Sequence, residues 1–170
     1  MRENAGNGRG TSSFSLFLRK GNVMLKITRS ELLNEDMIEC VSEYGNSPLR
    51  AIAGKARKNG NFREFRNRYG VKTMIIMDDG FVVLAPLRMD TYAERMDKEK
   101  FLMADPNRYV IRKSLIREIA TKPNAQQRRA IKEAKENGMF INLIGGKPAK
   151  YYAFTTTGRV YALRYLKESV

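Results

Sequence analysis

Residues 69–87 read YGVKTMIIMDDGFVVLAPL, two apolar runs separated by Asp-Asp-Gly. Runs rich in valine, isoleucine and methionine on either side of an Asp-Gly pair predict two antiparallel strands joined by a tight turn. Residues 147–166, KPAKYYAFTTTGRVYALRYL, have the same outline around Thr-Thr-Gly. Asp78 and Asp79 are a candidate metal or catalytic pair, but their position favours turn chemistry instead. The sequence therefore predicts two β-hairpins.

The two hairpins belong to a longer internal repeat. Sliding the sequence by 78 positions aligns its halves without a gap, so that residues 37–41 fall on 115–119 and residues 56–62 fall on 134–140. Chance, or convergence on a common helix-stop signal, is the alternative explanation. The strand, the helix, the helix stop and the turn all align under the same shift without a gap. This agreement favours a tandem duplication.

Each half predicts the same α+β unit. A short strand leads into an amphipathic helix, which ends at Gly60 in the first half and at Gly138 in the second, because a left-handed helix cap favours glycine. A strand around residues 61–65 or 139–144 follows, and then the hairpin. The sequence therefore predicts two tandem β-α-β-β-β repeats, each a small antiparallel or mixed sheet with one helix packed on it.

The predicted organisation has four segments. Residues 1–23, rich in Gly, Asn and Ser, are expected to be disordered or to form a basic arm. Residues 24–96 form the first repeat, 97–104 a connector and 105–170 the second repeat. The charged stretch 88–104 is expected to be a helical connector, although MLKIT and FLMAD are also candidate first strands of the two repeats.

Composition narrows the possible functions. The chain has no histidine and one cysteine, so it lacks the usual general base near neutral pH and a ligand set for structural zinc. Cys40 alternates like a strand residue, which favours a buried structural thiol over a reactive one. There is no phosphate-binding loop and no nucleophile motif. We therefore expect no enzymatic activity and no cofactor.

No apolar run approaches the roughly 18 residues that a membrane span needs. We therefore expect no contact with a membrane and a location in the cytoplasm, at the nucleoid, or in the host cytoplasm if the protein is viral.

Positive charge is the strongest functional signal. The chain carries 32 Lys and Arg against 18 Asp and Glu, a formal net charge of +14. Residues 50–72 hold eight basic and one acidic residue, and the equivalent residues 128–150 hold six and two, so these windows carry +11 of the +14. A cluster of charged residues is often no more than solvent-exposed surface. Here the clusters lie at equivalent places in both halves, which favours binding to nucleic acid.

The candidate binding residues lie on the predicted helices and on the loops before the hairpins. In each loop, glycines let backbone amides approach an anion closely. Tyr69 has two interpretations, stacking on a base or sugar, or packing on its own sheet. The predicted nucleic-acid-binding residues are Arg50, Lys55, Arg57, Lys58, Arg63, Arg66, Arg68, Tyr69, Lys72, Arg128, Arg129, Lys132, Lys147 and Lys150.

Two segments carry a resemblance to a known family. SPLRAIAGKARKNG at residues 47–60 and KTMIIMDDGFVVLAPLRMDTYAERM at residues 72–96 resemble the RemA-type extracellular matrix regulatory proteins, bacterial DNA-binding transcription regulators. The resemblance implies rings of identical subunits with basic loops on the outside. It also implies DNA contact by consecutive arginines, whose positions here hold Tyr69 and Gly70, with Arg66 and Arg68 as nearby substitutes.

These observations predict a nucleic-acid-binding transcriptional regulator that binds duplex DNA through basic loops in both halves. It is expected to be a homo-oligomer, for which a ring is one possible form. The alternatives are an RNA- or ribosome-associated basic protein, for which the same charge would serve, and a phage-encoded inhibitor that binds an acidic host protein.

Overall fold

A computed structural model describes residues 23–105 and 108–166 of the chain. The expectation for an N-terminal arm or disordered segment lies almost wholly outside the described residues. Within them the protein is of the α+β class, as predicted, with three α-helices and three sheets.

The elements follow one another in two similar series. The first series is β1 (Met24–Lys26), β2 (Leu32–Asn34), β3 (Ile38–Glu43), α1 (Ser47–Lys58), β4 (Phe62–Glu64), β5 (Thr73–Met77), β6 (Val82–Ala85) and α2 (Met89–Arg95). The second is β7 (Phe101–Asp105), β8 (Tyr109–Arg112), β9 (Ile116–Ala120), α3 (Ala125–Glu136), β10 (Phe140–Asn142), β11 (Tyr151–Thr155) and β12 (Val160–Leu163).

Four strands of each series have the same order in their sheet. A six-stranded sheet has the order β4-β6-β5-β3-β8-β7, and a four-stranded sheet has the order β10-β12-β11-β9. β4 with β6 and β10 with β12 are parallel pairs, whereas the other pairs are antiparallel. β1 and β2 form a two-stranded ribbon, and β7 and β8 form a second ribbon that joins the first half's sheet through β3. The bounds of α1 and α3 coincide after a shift of 78 positions.

The helix ends follow from local side-chain chemistry. The side chain of Asn46 accepts a hydrogen bond from the Leu49 amide at the start of α1, and Asn124 and Gln127 form a reciprocal capping box at the start of α3. Just past the helices, Gly60 has φ 78° and Gly138 has φ 71°. Both predicted helix stops are therefore confirmed. 

The hairpin turns also match the prediction. The side chain of Asp79 accepts a hydrogen bond from the Phe81 amide at 2.9 Å, and Gly80 has φ 92°. Gly158 occupies the same position in the second hairpin with φ 93°. Asp79 therefore stabilises a turn, as its position in the sequence indicated.

β5 and β6 are buried along their whole length because both faces of the six-stranded sheet are covered. On one face, Met74, Ile76 and Leu84 pack in a core that includes residues of α1 and of the four-stranded sheet. On the other, Ile75 and Val83 pack in a core with residues of α2 and of the β1-β2 ribbon. α3 covers the far face of the four-stranded sheet.

Cys40 lies in the core that α1 shares with both sheets and is fully buried. Burial, followed by the neighbouring Glu39 carboxylate, raises the pKa of the Cys40 thiol well above its ordinary value. A neutral, inaccessible thiol is structural, which confirms that interpretation of the sequence.

Two local expectations were wrong. The segment 88–104 is helical only over α2 and a short 3-10 turn at Lys98–Lys100, and β7 begins at Phe101. The predicted unit also lacked β2 and β8, because short strands of three or four residues carry little periodic signal. No helix in the described part of the chain combines the length and the apolar character that crossing a bilayer would require.

Candidate nucleic-acid interface

The first basic loop is residues 65–72, between β4 and β5, and it is anchored at both ends. The Phe65 amide donates to the Leu84 carbonyl at 2.8 Å, and the Lys72 amide donates to the Ala85 carbonyl at 2.9 Å. Between these anchors Asn67 and Gly70 exchange backbone hydrogen bonds of 3.3 and 2.9 Å.

The tip of this loop is a tight turn. The Asn67 side chain accepts a hydrogen bond from the Tyr69 amide at 2.8 Å, and Gly70 has φ 90°, which favours glycine. Arg68 and Tyr69 lie at this turn, and both are exposed. 

Tyr69 has its ring in solvent. It is 66% exposed, with the Arg68 guanidinium 4.9 Å and the Lys72 ammonium 5.7 Å from the ring centroid. Packing on its own sheet was one of the two interpretations of this tyrosine, and the exposure shows that it was wrong. An exposed ring between two cations can stack on a base while the cations contact phosphate.

Arg57 and Arg66 share one carboxylate at the base of the loop. Glu64 lies 3.1 Å from the Arg57 guanidinium and 2.8 Å from that of Arg66, and both arginines remain about 60% exposed. Arg57 also lies over the Phe62 ring at 4.5 Å. Exposed ion pairs contribute about 0–1 kcal/mol, so a phosphate group could replace Glu64 at little cost.

The second basic loop is residues 143–150, between β10 and β11. The side chain of Asn142 donates to the Gly145 carbonyl and accepts from the Ile144 amide, both at 2.9 Å, and Gly145 has φ 65°. The exposed Lys147 and Lys150 follow, and the Lys150 amide donates to the Leu163 carbonyl at 2.8 Å.

A cleft of about 570 Å³ lies between the two loops. Lys72 lines it from the first loop, Gly145 from the second, and Asn46 from the start of α1. Arg88 and Arg108 also line the cleft, and Arg88 lies 2.9 Å from the Asp90 carboxylate. Sequence reasoning missed these two arginines because both lie outside the basic windows 50–72 and 128–150.

The other predicted residues are exposed but do not all belong to the loops. Arg63 on β4 lies 3.9 Å from Glu31 of the first ribbon, and the Lys55 ammonium lies against Gly138 beyond the end of α3. Arg128 donates to the Pro123 carbonyl at 2.8 Å. Exposed positions on α1 and α3 hold the remaining members of the set, Arg50, Lys58, Arg129 and Lys132.

Fold and surface together define a basic α+β protein with exposed cationic loops in both halves.

No family model matches the chain. The chain is 31% identical over 74 residues to a protein of Finegoldia magna named "Putative regulatory protein", and the match covers 44% of this chain and 89% of that protein.

A second regulatory protein of that name, from Desulfotalea psychrophila, is 32% identical over 59 residues. That match covers 35% of this chain and about half, 53%, of the relative. The chain belongs to the family of these regulatory proteins.

Proposed function

We propose that this protein is a transcriptional regulator that binds duplex DNA through its basic loops, residues 65–72 and 143–150. The observation that carries the proposal is the anchored turn that holds Arg68, Tyr69 and Lys72 in solvent. Membership in a family of proteins named as regulators is compatible with this function.

The two loops would act as phosphate clamps. Arg68 and Lys72 in the first loop and Lys147 and Lys150 in the second are exposed cations on hydrogen-bonded turns. Phosphate contacts of this kind position a protein on DNA without reading its sequence. Sequence preference would therefore have to come from other groups or from DNA shape.

We also propose that the chain is a tandem duplication of a RemA-type regulator. Its support is the resemblance over residues 47–60 and 72–96 and the common bounds of α1 and α3 after a 78-residue shift. Corresponding strand orders in the two sheets also favour duplication.

Salt dependence tests the DNA interface. Alanine at Arg68, Lys72, Lys147 and Lys150 should flatten the log-log slope of DNA affinity against salt by about 0.9 per lost contact, roughly 3 to 4 units in all. The losses should be similar for DNA of different sequence. Affinity at several salt concentrations is the measurement, after wild-type thermal unfolding has been verified.

A matched control removes four positive charges elsewhere. Exposed Lys26, Arg29, Lys98 and Lys100 lie outside both loops, and their replacement by alanine should leave most of the slope intact. If the salt slope flattens equally in both variants, only net charge matters for binding. If it flattens only in the control, the interface lies on another face of the protein.

RNA is the second candidate, favoured by the exposed Tyr69 ring. Stacking of an unpaired base on an aromatic side chain contributes about 1–3 kcal/mol, and bases inside a duplex are not available for it. If single-stranded RNA is the ligand, Tyr69→Ala should reduce its affinity by that amount. If duplex DNA is the ligand, the same variant should retain most of its affinity, and duplex DNA should outcompete RNA at matched salt.

A further inference from the structure

The cleft between the two basic loops lies at one end of four neighbouring strands, β6, β5, β3 and β8. Thr73, at the start of β5, lies opposite Ala85 at the end of β6 and opposite Glu43 at the end of β3. Tyr109, at the start of β8, lies opposite Ser42 of β3. Residues just beyond these strands therefore meet at the same end of the sheet.

Three exposed basic residues, the cleft cations, lie just beyond these strands and line the cleft. Lys72 directly precedes β5, Arg108 directly precedes β8, and Arg88 is the third residue after β6. The Lys72 carbonyl accepts a hydrogen bond from the Tyr44 amide at 3.0 Å, and the Arg108 carbonyl accepts one from the Glu43 amide at 2.6 Å. Because β3 separates β5 from β8, the backbones of Lys72 and Arg108 are about 10 Å apart, and their long side chains can reach one phosphorylated group.

The rest of the cleft has a different chemistry. An apolar wall consists of the buried Met89 and Leu143 and the half-buried Val71 and Ile144. The exposed carboxylate of Glu43 also lines the cleft and can only accept hydrogen bonds when it is ionised. A bare inorganic anion has no group that donates to Glu43 or packs on the apolar wall. A ligand that uses all three surfaces needs phosphate, hydrogen-bond donors and an apolar body.

The size of the cleft and the state of its arginines suit such a ligand. Its volume of about 570 Å³ falls within the range of about 300–1,000 Å³ that is typical of small-molecule sites. Arg88 is paired with Asp90 at 2.9 Å, but exposed ion pairs of this kind contribute little to stability. The Arg88 guanidinium can therefore turn to a phosphate group, which its planar set of donors binds through two hydrogen bonds.

We propose that this cleft binds a nucleoside phosphate. The phosphates contact the cleft cations, the base packs on the apolar wall, and Glu43 accepts hydrogen bonds from the sugar or the base. Arg68 and Tyr69, at the tip of the first loop, do not line the cleft. The ligand site therefore does not depend on the proposed binding of DNA.

Calorimetric titration of the full chain with ATP, without nucleic acid, tests the site. Arg88→Gln combined with Arg108→Gln should weaken ATP binding by at least about tenfold, because charge-assisted hydrogen bonds to the phosphates are lost. Both side chains are exposed, so thermal unfolding should stay that of the wild type. A wild-type protein that binds no ATP would refute the proposal.

A matched control removes the same charge away from the cleft. Arg29 and Lys98 are exposed and do not line the cleft, so Arg29→Gln combined with Lys98→Gln should retain the wild-type affinity for ATP. If both double variants lose affinity equally, ATP responds only to net charge and the cleft is not a site.

Inorganic tripolyphosphate tests the nucleoside part of the ligand. It carries the phosphates of ATP without the sugar and base, so it should bind about tenfold more weakly than ATP. Equal affinities would overturn the assignment to a nucleoside phosphate.

Arg68→Ala separates this site from the proposed DNA interface. The variant should retain the wild-type affinity for ATP, whatever its affinity for DNA, because Arg68 lies outside the cleft. A loss of ATP affinity as large as that of the Arg88 and Arg108 double variant would place the phosphates on the first loop and overturn the proposal.

Discussion

At the residue scale, a buried ion pair holds the two halves together. Glu39 on β3 is fully buried and accepts hydrogen bonds from Arg159 at 2.6 and 3.0 Å, and from the hydroxyl groups of Thr157 and Tyr161. The Arg159 guanidinium also donates to the carbonyl of Asp78 at 2.8 Å. Burial raises the pKa of the Tyr161 hydroxyl well above its ordinary value, so it remains a hydrogen-bond donor.

This network predicts unequal effects of single and combined substitutions. Glu39→Leu leaves the Arg159 charge buried and unpaired, and should reduce the free energy of unfolding by about 3–5 kcal/mol. Glu39→Leu combined with Arg159→Met and Tyr161→Phe removes the stranded polar groups as well, and should recover more than half of that loss. Urea unfolding measures the free energy of unfolding of the single and of the combined variant. If Glu39→Leu alone lowers the free energy of unfolding by less than about 1 kcal/mol, the buried Arg159 does not need its carboxylate partner, and this explanation is wrong.

At the element scale, the equivalent helices α1 and α3 have different surroundings. α1 packs in a core shared by both sheets, with Leu49 and Ala53 buried. α3 lies on the four-stranded sheet alone and buries only Ala134. The more enclosed helix nevertheless contains Gly54. Apart from its chain neighbours and the nearby backbone of its own helix, no atom lies within 4 Å of the place where a Cβ would be.

Gly54 therefore predicts a stabilising substitution. Gly54→Ala should raise the free energy of unfolding by about 0.5–1 kcal/mol, because alanine reduces the conformational freedom of the unfolded chain and fits the open space. Gly60→Ala is the matched control, since Gly60 is equally unobstructed but has φ 78°. It should lower stability by about 1–2 kcal/mol. Equal effects of the two substitutions in denaturant unfolding would contradict this explanation.

At the scale of the whole molecule, the halves share one sheet and one core. Strands β7 and β8 of the second half complete the sheet of the first, and α1 packs with residues such as Ile141 and Tyr161 of the second. Neither half can lose its structure without exposing apolar surface of the other. This arrangement indicates a single cooperative unit of folding.

Cooperativity predicts one unfolding transition for the full chain. Far-UV circular dichroism and tyrosine fluorescence should give the same urea midpoint, and the amides of β5 and β11 should exchange with the same free energy of opening. Two separate transitions, or amides of one half that open several kcal/mol more easily, would show that the halves fold independently.

The sequence by itself determined the features that depend on neighbours along the chain. The Asp-Gly and Thr-Gly turns, the helix stops at Gly60 and Gly138, and the strands between them follow from backbone conformation and side-chain periodicity. The positions of the basic loops were also predictable, because charge is read directly from residue type. The sequence therefore located the two basic loops but not the cleft between them, where Arg88 and Arg108 join from outside the basic windows.

Only the tertiary structure decided which of these features are buried or exposed. Leu32 and Val110 are similar apolar residues at equivalent positions in two short strands, yet one is 54% exposed and the other is fully buried. Glu39 and Arg159 are 120 residues apart, and their pairing could not be inferred from charge pattern alone. The Tyr69 ring likewise could have packed on its own sheet or remained in solvent. In each case the outcome depends on a partner distant in sequence, and local propensity carries no information about that partner.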